Sequence, residues 1–318
     1  MTSILHNVTD IIDQALGLRT IGNRIYTSAN KSACIRLCSR SEQNRQIDGS
    51  SLVRSILEQI AANRRELNDK CLPCTGGRNW RFETMYDFDL ETKYEMQLQK
   101  AIAILLDGEW ANAVPTASGL TECRETARDI DLVQRLSGEE WRFVELKAMR
   151  RGGGGCRGDQ TPLFAALELL QYALIFHFSK QHAALLGYRA DKNPVIAAEK
   201  VHLEVLMTTN CYFYRSRIQR SRNSTTDRFN IEWVHDLISE GLRALNEQQP
   251  HLVQFDFCFS EFSEDFEWTE DDHRQLHLIV AEHEFQRCRD ELEKSEVGLR
   301  LQTKIRAALK DRVPAVLS

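Results

Sequence analysis

The 318-residue sequence lacks any apolar run long enough to cross a bilayer: its most apolar segment, 163–178, is interrupted by Glu168, Gln171 and His177, and a span needs roughly 20 apolar residues. Its opening residues lack the basic-then-apolar order of a secretory leader. These absences predict a cytoplasmic chain with no membrane partner. The nine cysteines are odd in number and irregular in spacing, which suits a reducing compartment better than a disulfide framework. The four glycines at 152–155 are not followed by the Lys-Ser/Thr pair of a phosphate-binding loop, and there is no G-x-S-x-G elbow and no H-E-x-x-H pair. With 41 Lys+Arg against 46 Asp+Glu the net charge is -5. That excludes a wholly basic nucleic-acid coat, but not a local basic surface.

What is present is 27% charged and 42% hydrophobic residues, enough for a sizeable core in one large or two modest domains. Apolar spacing predicts helices over 3–16 and 51–68, a short strand around Ile35 and Leu37, and a connector at 71–77 that marks a boundary near residue 75. A helix runs from Glu91 to about Leu105. Residues 129–148 then change to a strand period and read as a hairpin. Thr161-Pro162 opens a helix to about Ser179. Further on lie a strand over 201–207, a helix over 231–246, a strand over 251–260 and a helix or helix pair over 271–311. The order predicts an α/β (α+β) fold with a central mixed sheet flanked by helices. An N-terminal helical region, 1–75, precedes a larger domain, 76–318, with a core at about 88–213 and a C-terminal extension at 214–318.

Chemistry concentrates in the hairpin. Glu145 and Lys147 are two apart on a strand and share one face, leaving Val144, Leu146 and Ala148 to the other. Asp131, on the preceding strand, reaches that face only if the loop length is odd. A three-residue loop, Ser137-Gly138-Glu139, sets Asp131 opposite Glu145, with Gly138 available for a left-handed turn position. A five-residue loop would set Asp131 opposite Lys147. Two opposed carboxylates favour a shared proton or a divalent cation, and oxygen-only ligation suits magnesium or manganese. Lys147 would orient or activate a water, so the chemistry implied is metal-assisted phosphodiester hydrolysis. Glu95 shares a helical stripe with Leu98, Ile102 and Leu105 and is a third candidate ligand.

Asp131, then thirteen residues, then Glu145-Leu146-Lys147, with a glutamate-bearing helix before and an apolar helix after, resembles the PD-(D/E)XK nuclease superfamily, the restriction-endonuclease-like fold. The resemblance covers roughly 88–213. It implies a nuclease in which Asp131 and Glu145 hold the metal, Lys147 serves the water, Glu95 assists, and Gln171 and Tyr172 on the later helix touch the site or the nucleic acid. Ile130 stands where that motif often has proline. A homodimer is compatible with this reading, because cutting both strands of a duplex commonly needs two sites.

Arg150 and Arg151 follow the motif strand, and Arg215 and Arg217 open the densest basic run of the chain; all four are candidate contacts for nucleic acid, DNA being the expected partner. The stretch 256–272 has eight acids and no Lys or Arg. Cys71 and Cys74 have the spacing of half a zinc site, without supporting histidines. His273, His277 and His283 read as an exposed helical face. Two other functions fit the sequence: a catalytically inactive nucleic-acid-binding or assembly module on the same fold, and a protein-interaction scaffold built from the terminal helices.

Overall fold

A computed structural model describes residues 3–18, 37–38, 47–65, 78–86, 93–118, 120, 128–150, 160–215, 226–282 and 285–315. In chain order the elements are α1 (Val8–Ala15), α2 (Gly49–Arg65), α3 (Tyr94–Leu105), β1 (Trp110–Pro115), β2 (Asp129–Arg135), β3 (Glu140–Lys147), α4 (Pro162–Gln181), β4 (Lys200–Met207), β5 (Phe213–Arg215), β6 (Thr226–Arg228), α5 (Glu232–Gln248), β7 (Gln254–Glu261), α6 (Glu270–Glu282), α7 (Phe285–Lys294), α8 (Glu296–Lys310) and β8 (Val313–Pro314). Six strands form one mixed sheet in the order β1-β2-β3-β4-β7-β8, and β5 pairs with β6 apart from it. The pairs β1–β2 and β2–β3 are antiparallel, β3–β4 and β4–β7 are parallel, and β7–β8 is antiparallel. Parallel neighbours need a crossover, which α4 provides between β3 and β4 and α5 between β4 and β7. The fold is thus a mixed α/β architecture with helices on the sheet, as the element order predicts.

The sheet separates two cores. Trp141 and Phe143 on one face of β3 pack with Leu163, Leu170 and Phe176 of α4, where Phe143 and Phe176 meet edge to face at 5.2 Å. Val144 and Leu146 on the other face pack with Leu98 and Ile102 of α3 and with Leu301 and Ile305 of α8. α4 is buried for most of its length and is the one described helix long and apolar enough to cross a membrane; here its apolar surface is spent on the sheet. Thr161 caps it, accepting the Phe164 N–H at 3.3 Å, with Pro162 at the first helical position.

The N-terminal helices join the first of these cores through Ile4, Ile12, Leu52 and Ile56. α2 lies directly on α5, where a methyl added at Gly241 would stand 2.5 Å from the Gly49 carbonyl oxygen. Leu37 is helical, not extended as the sequence suggested; Ile35, the connector at 71–77 and Cys71 and Cys74 lie outside the described residues, as do Glu91 and the glycines at 152–155. The C-terminal segment forms three helices where a helix or pair was expected. His273 is buried there at 4% exposure, a correction to its expected place on an open face: the i, i+3 positions of Leu276 and His273 share the inward stripe of α6. His283 lies outside the described residues.

Candidate active site

The β2–β3 hairpin sets the register of the site. Its loop holds three residues, with the Leu136 and Ser137 N–H groups both donating to the Glu140 carbonyl at 3.0 Å. The ladder pairs Arg135 with Trp141 and Leu132 with Val144. One step further sets Asp131 opposite Glu145, the outcome of the shorter odd loop. Gly138 does not take the left-handed conformation reserved for it. The Ser137 hydroxyl closes the turn instead, accepting the Glu140 N–H at 3.0 Å.

Beyond that ladder the N–H groups of β3 are taken by acidic side chains. Asp131 Oδ2 accepts the Leu146 N–H at 2.9 Å, and Glu95 Oε2 accepts the Ala148 N–H at 3.2 Å. Backbone donors inside a fold require partners, so satisfying them fixes both carboxylates at the end of β3. The Gln99 side chain, one turn along α3 from Glu95, holds Asp131 from the other side, donating to its backbone carbonyl at 2.6 Å. Across β1 from Asp131 stands Ala113, whose φ is +49°. A left-handed alanine costs roughly 1–2 kcal/mol and marks local strain beside the acid.

Lys147 is the hub. Its Nζ lies 2.5 Å from Glu145 Oε1, 3.6 Å from Glu168 Oε2 and 3.9 Å from Glu95 Oε1. Glu145 and Lys147 are only 2% and 7% exposed. Burial pushes the carboxyls of Glu145 and Asp131 upward, and each is raised further by neighbouring carboxylates. Burial also lifts Glu95 to about 7, opposed by Lys147 and reinforced by Asp131. Burial alone would lower the Lys147 amine, but Glu145, Asp131, Glu95 and Glu168 together hold it well above its usual value. The cluster therefore carries four acids around one cation, with more negative charge than Lys147 offsets.

Of the residues expected from sequence, Asp131, Glu145, Lys147 and Glu95 come together. Glu168 joins them and was not singled out as a site residue. It lies four residues before Tyr172, whose hydroxyl donates to Glu168 Oε1 at 3.3 Å; the i, i+4 spacing on α4 was the available signal. Gln171 turns away, its amide donating to the Leu167 carbonyl at 2.9 Å. Arg150 ion-pairs with Glu270 and stacks over the Tyr94 ring at 5.7 Å, while Asn210 Nδ2 holds its carbonyl at 3.0 Å. Arg215 ends the short strand β5; Arg151 and Arg217 lie outside the described residues. Arg128 was also missed. It lies near enough to Tyr172 to favour ionisation of the phenol, which burial opposes.

The chain matches no protein-family model, no curated protein and no solved structure.

The donor chemistry fits a hard divalent cation: oxygen ligands only, in excess of negative charge, with carboxyls pushed toward protonation by burial and then by one another. Among the described residues no three or more His, Cys, Asp or Glu side chains are grouped to hold a metal ion as they stand. The acids are gathered around the Lys147 ammonium instead.

Proposed function

We propose that the chain is a metal-dependent nuclease that hydrolyses phosphodiester bonds in DNA, with a core of the restriction-endonuclease-like kind acting in a cytoplasmic setting. The observation that carries this reading is the convergence of Asp131, Glu145, Glu95 and Lys147 at the end of one strand. The order α3, three antiparallel strands, α4, then a parallel strand supports it too, because it supplies the glutamate-bearing helix before and the apolar helix after that the sequence resemblance requires. Asp131 and Glu145, with Glu95, would hold magnesium or manganese. The cation, when bound, supplies charge neutralisation at the phosphate and a more acidic water.

The residues divide the remaining work. Lys147 stays an ammonium near neutral pH, so it has no lone pair with which to take a proton; it donates hydrogen bonds, orienting the water and offsetting charge on the phosphate. Glu95, fixed by the Ala148 N–H at 3.2 Å, would assist as the third carboxylate at the cation. Glu168 holds the Lys147 amine and the Tyr172 hydroxyl in place. Arg128, just before β2, and Arg150, just after β3, are the candidate contacts for a phosphate backbone.

The test is cleavage of plasmid and linear DNA with magnesium or manganese. Wild type should cleave and Lys147→Ala should not, with both folded by circular dichroism. Equal activity in the two would overturn the mechanism. A second reading is favoured by the gathering of the acids around Lys147 instead of a common metal point: a binding or assembly module without catalysis. Calorimetry with magnesium separates the two, since DNA binding that is indifferent to chelator together with no heat of metal binding would favour the module.

A further inference from the structure

On the face of the sheet opposite the acidic cluster, a cleft of about 570 Å³ opens between the first strands and α8. Arg142, Arg306, Lys310 and Arg312 line it, against a single lining acid, Glu109. Leu106 and Leu309 supply an apolar wall. Two of the cations are built in from below. Glu204, 2% exposed on β4, lies 3.1 Å from Arg142 Nε and 2.7 Å from Arg312 Nε. Arg142 Nη1 also donates to Gln134 Oε1 at 2.7 Å, and Arg312 Nη1 donates to the Leu309 carbonyl. Arg306 forks onto Glu109 at 2.7 and 3.1 Å. Lys310 is exposed and has no ion pair among the described residues.

One buried carboxylate cannot balance two guanidiniums. Four cations face Glu109 and Glu204, with Asp256 also acting on Arg142, and the surplus sits in a recess whose low-dielectric walls concentrate its field. Glu204 lies on the Nε edges of both arginines while Gln134 and the Leu309 carbonyl hold their Nη1 groups, so both guanidiniums are fixed in place as permanent positive charge at the floor of the cleft. The volume lies within the range of small-ligand pockets, about 300–1,000 Å³. Arg142 and Arg312 are recessed, with side chains 21% and 17% exposed. A narrow ligand can reach recessed guanidiniums; a duplex backbone meets cations that stand proud of the surface. The cleft is also separate from the acidic cluster, because Arg142 and Lys147 are five residues apart on β3, roughly 17 Å along the strand, and on opposite faces.

We infer that this cleft binds a small polyphosphorylated ligand of the nucleoside di- or triphosphate class, with its phosphates on Arg142, Arg312 and Lys310 and its organic part against Leu106 and Leu309. The test is isothermal calorimetry on the full chain with chelator present, using ATP, inorganic triphosphate and a short DNA duplex as probes. ATP and triphosphate should bind the wild type. The double variant Arg306→Gln/Lys310→Glu should weaken both by about tenfold or more, and Glu109→Gln, which removes the competing acid, should tighten them several-fold. Neither change should alter DNA cleavage. Failure of both phosphate probes to bind would overturn the assignment, as would affinities unchanged in both variants. Displacement of ATP by the duplex would overturn it in favour of nucleic acid as the occupant.

Discussion

Two clusters of buried charge hang on strand β3, one at each end and on opposite faces, and their composition is inverted. At the end of the strand four carboxylates surround the single ammonium of Lys147. Near its start two guanidiniums flank the single carboxylate of Glu204. A purely structural ion pair would be expected to balance, because uncompensated buried charge is costly and is removed unless something offsets it. Neither cluster balances. The acidic one relieves the excess by shifting its carboxyls toward the protonated form, an option the arginines do not have because a guanidinium does not give up its proton in a protein. The charge of the acidic cluster therefore varies with pH, whereas the basic cleft keeps its charge permanently.

Replacing Glu204 should test the comparison most severely. Glu204→Ala leaves Arg142 and Arg312 facing one another and should cost about 3–5 kcal/mol in denaturant unfolding; a loss under about 1 kcal/mol would mean that the cleft already tolerates its own repulsion. Next in size is Lys147→Ala, for which DNA cleavage should fall roughly 100-fold or more, about 2.7 kcal/mol of transition-state stabilisation. That variant should also gain stability as the pH is lowered, since acids deprived of their ammonium take up protons more readily.

The pH dependence separates the clusters more finely. The ordinary pKa of Glu95 is 4.5 and its native value is about 7. Between these values the unfolded chain has released a proton that the native chain keeps, so stability falls as the pH rises through that window. From about pH 6 to about pH 8 the metal-free protein should lose about 1 kcal/mol from this group alone, measured as a fall in Tm. Glu95→Gln should flatten the slope, and magnesium should reduce it, while substitutions around Glu204 should leave it unchanged. The smallest effect concerns the helix that brings Glu168 in: Thr161→Ala removes the cap of α4 and should cost about 1 kcal/mol with little change in cleavage.

The acidic cluster was largely legible in the sequence because strand geometry is discrete. An odd loop leaves only Glu145 or Lys147 as the partner of Asp131, and the structure takes the first. What could not be read was which side chains fill the space between elements. Gln171 and Tyr172 were chosen from a resemblance, whereas the i, i+4 stripe of α4 brings Glu168 and Tyr172 inward and leaves Gln171 on its own carbonyl. The turn's parity was legible but neither its length, left between three and five residues, nor its chemistry, since the Ser137 hydroxyl and not a left-handed Gly138 closes it. The basic cleft was invisible. Arg142 alternates with Phe143 and Val144 like any strand residue, and nothing local links it to Arg312, 170 positions later. The acid-rich run 256–272 likewise read as a one-sign patch, yet Glu261 pairs with Arg228, Glu270 with Arg150, and Asp272 with Arg300 and Lys304, partners that only the tertiary fold supplies.

The borders of the sheet have their own consequence. Its outer strands among the described residues are β1 and β8, and each ends in a proline, Pro115 and Pro314. Proline has no N–H to offer a ladder, and β8, only two residues long, pairs with Ser260 and Glu261 alone on β7, so both borders are short or end in a residue that weakens edge pairing. A second copy docking at either border would meet, at its end, a proline where a ladder N–H would otherwise stand.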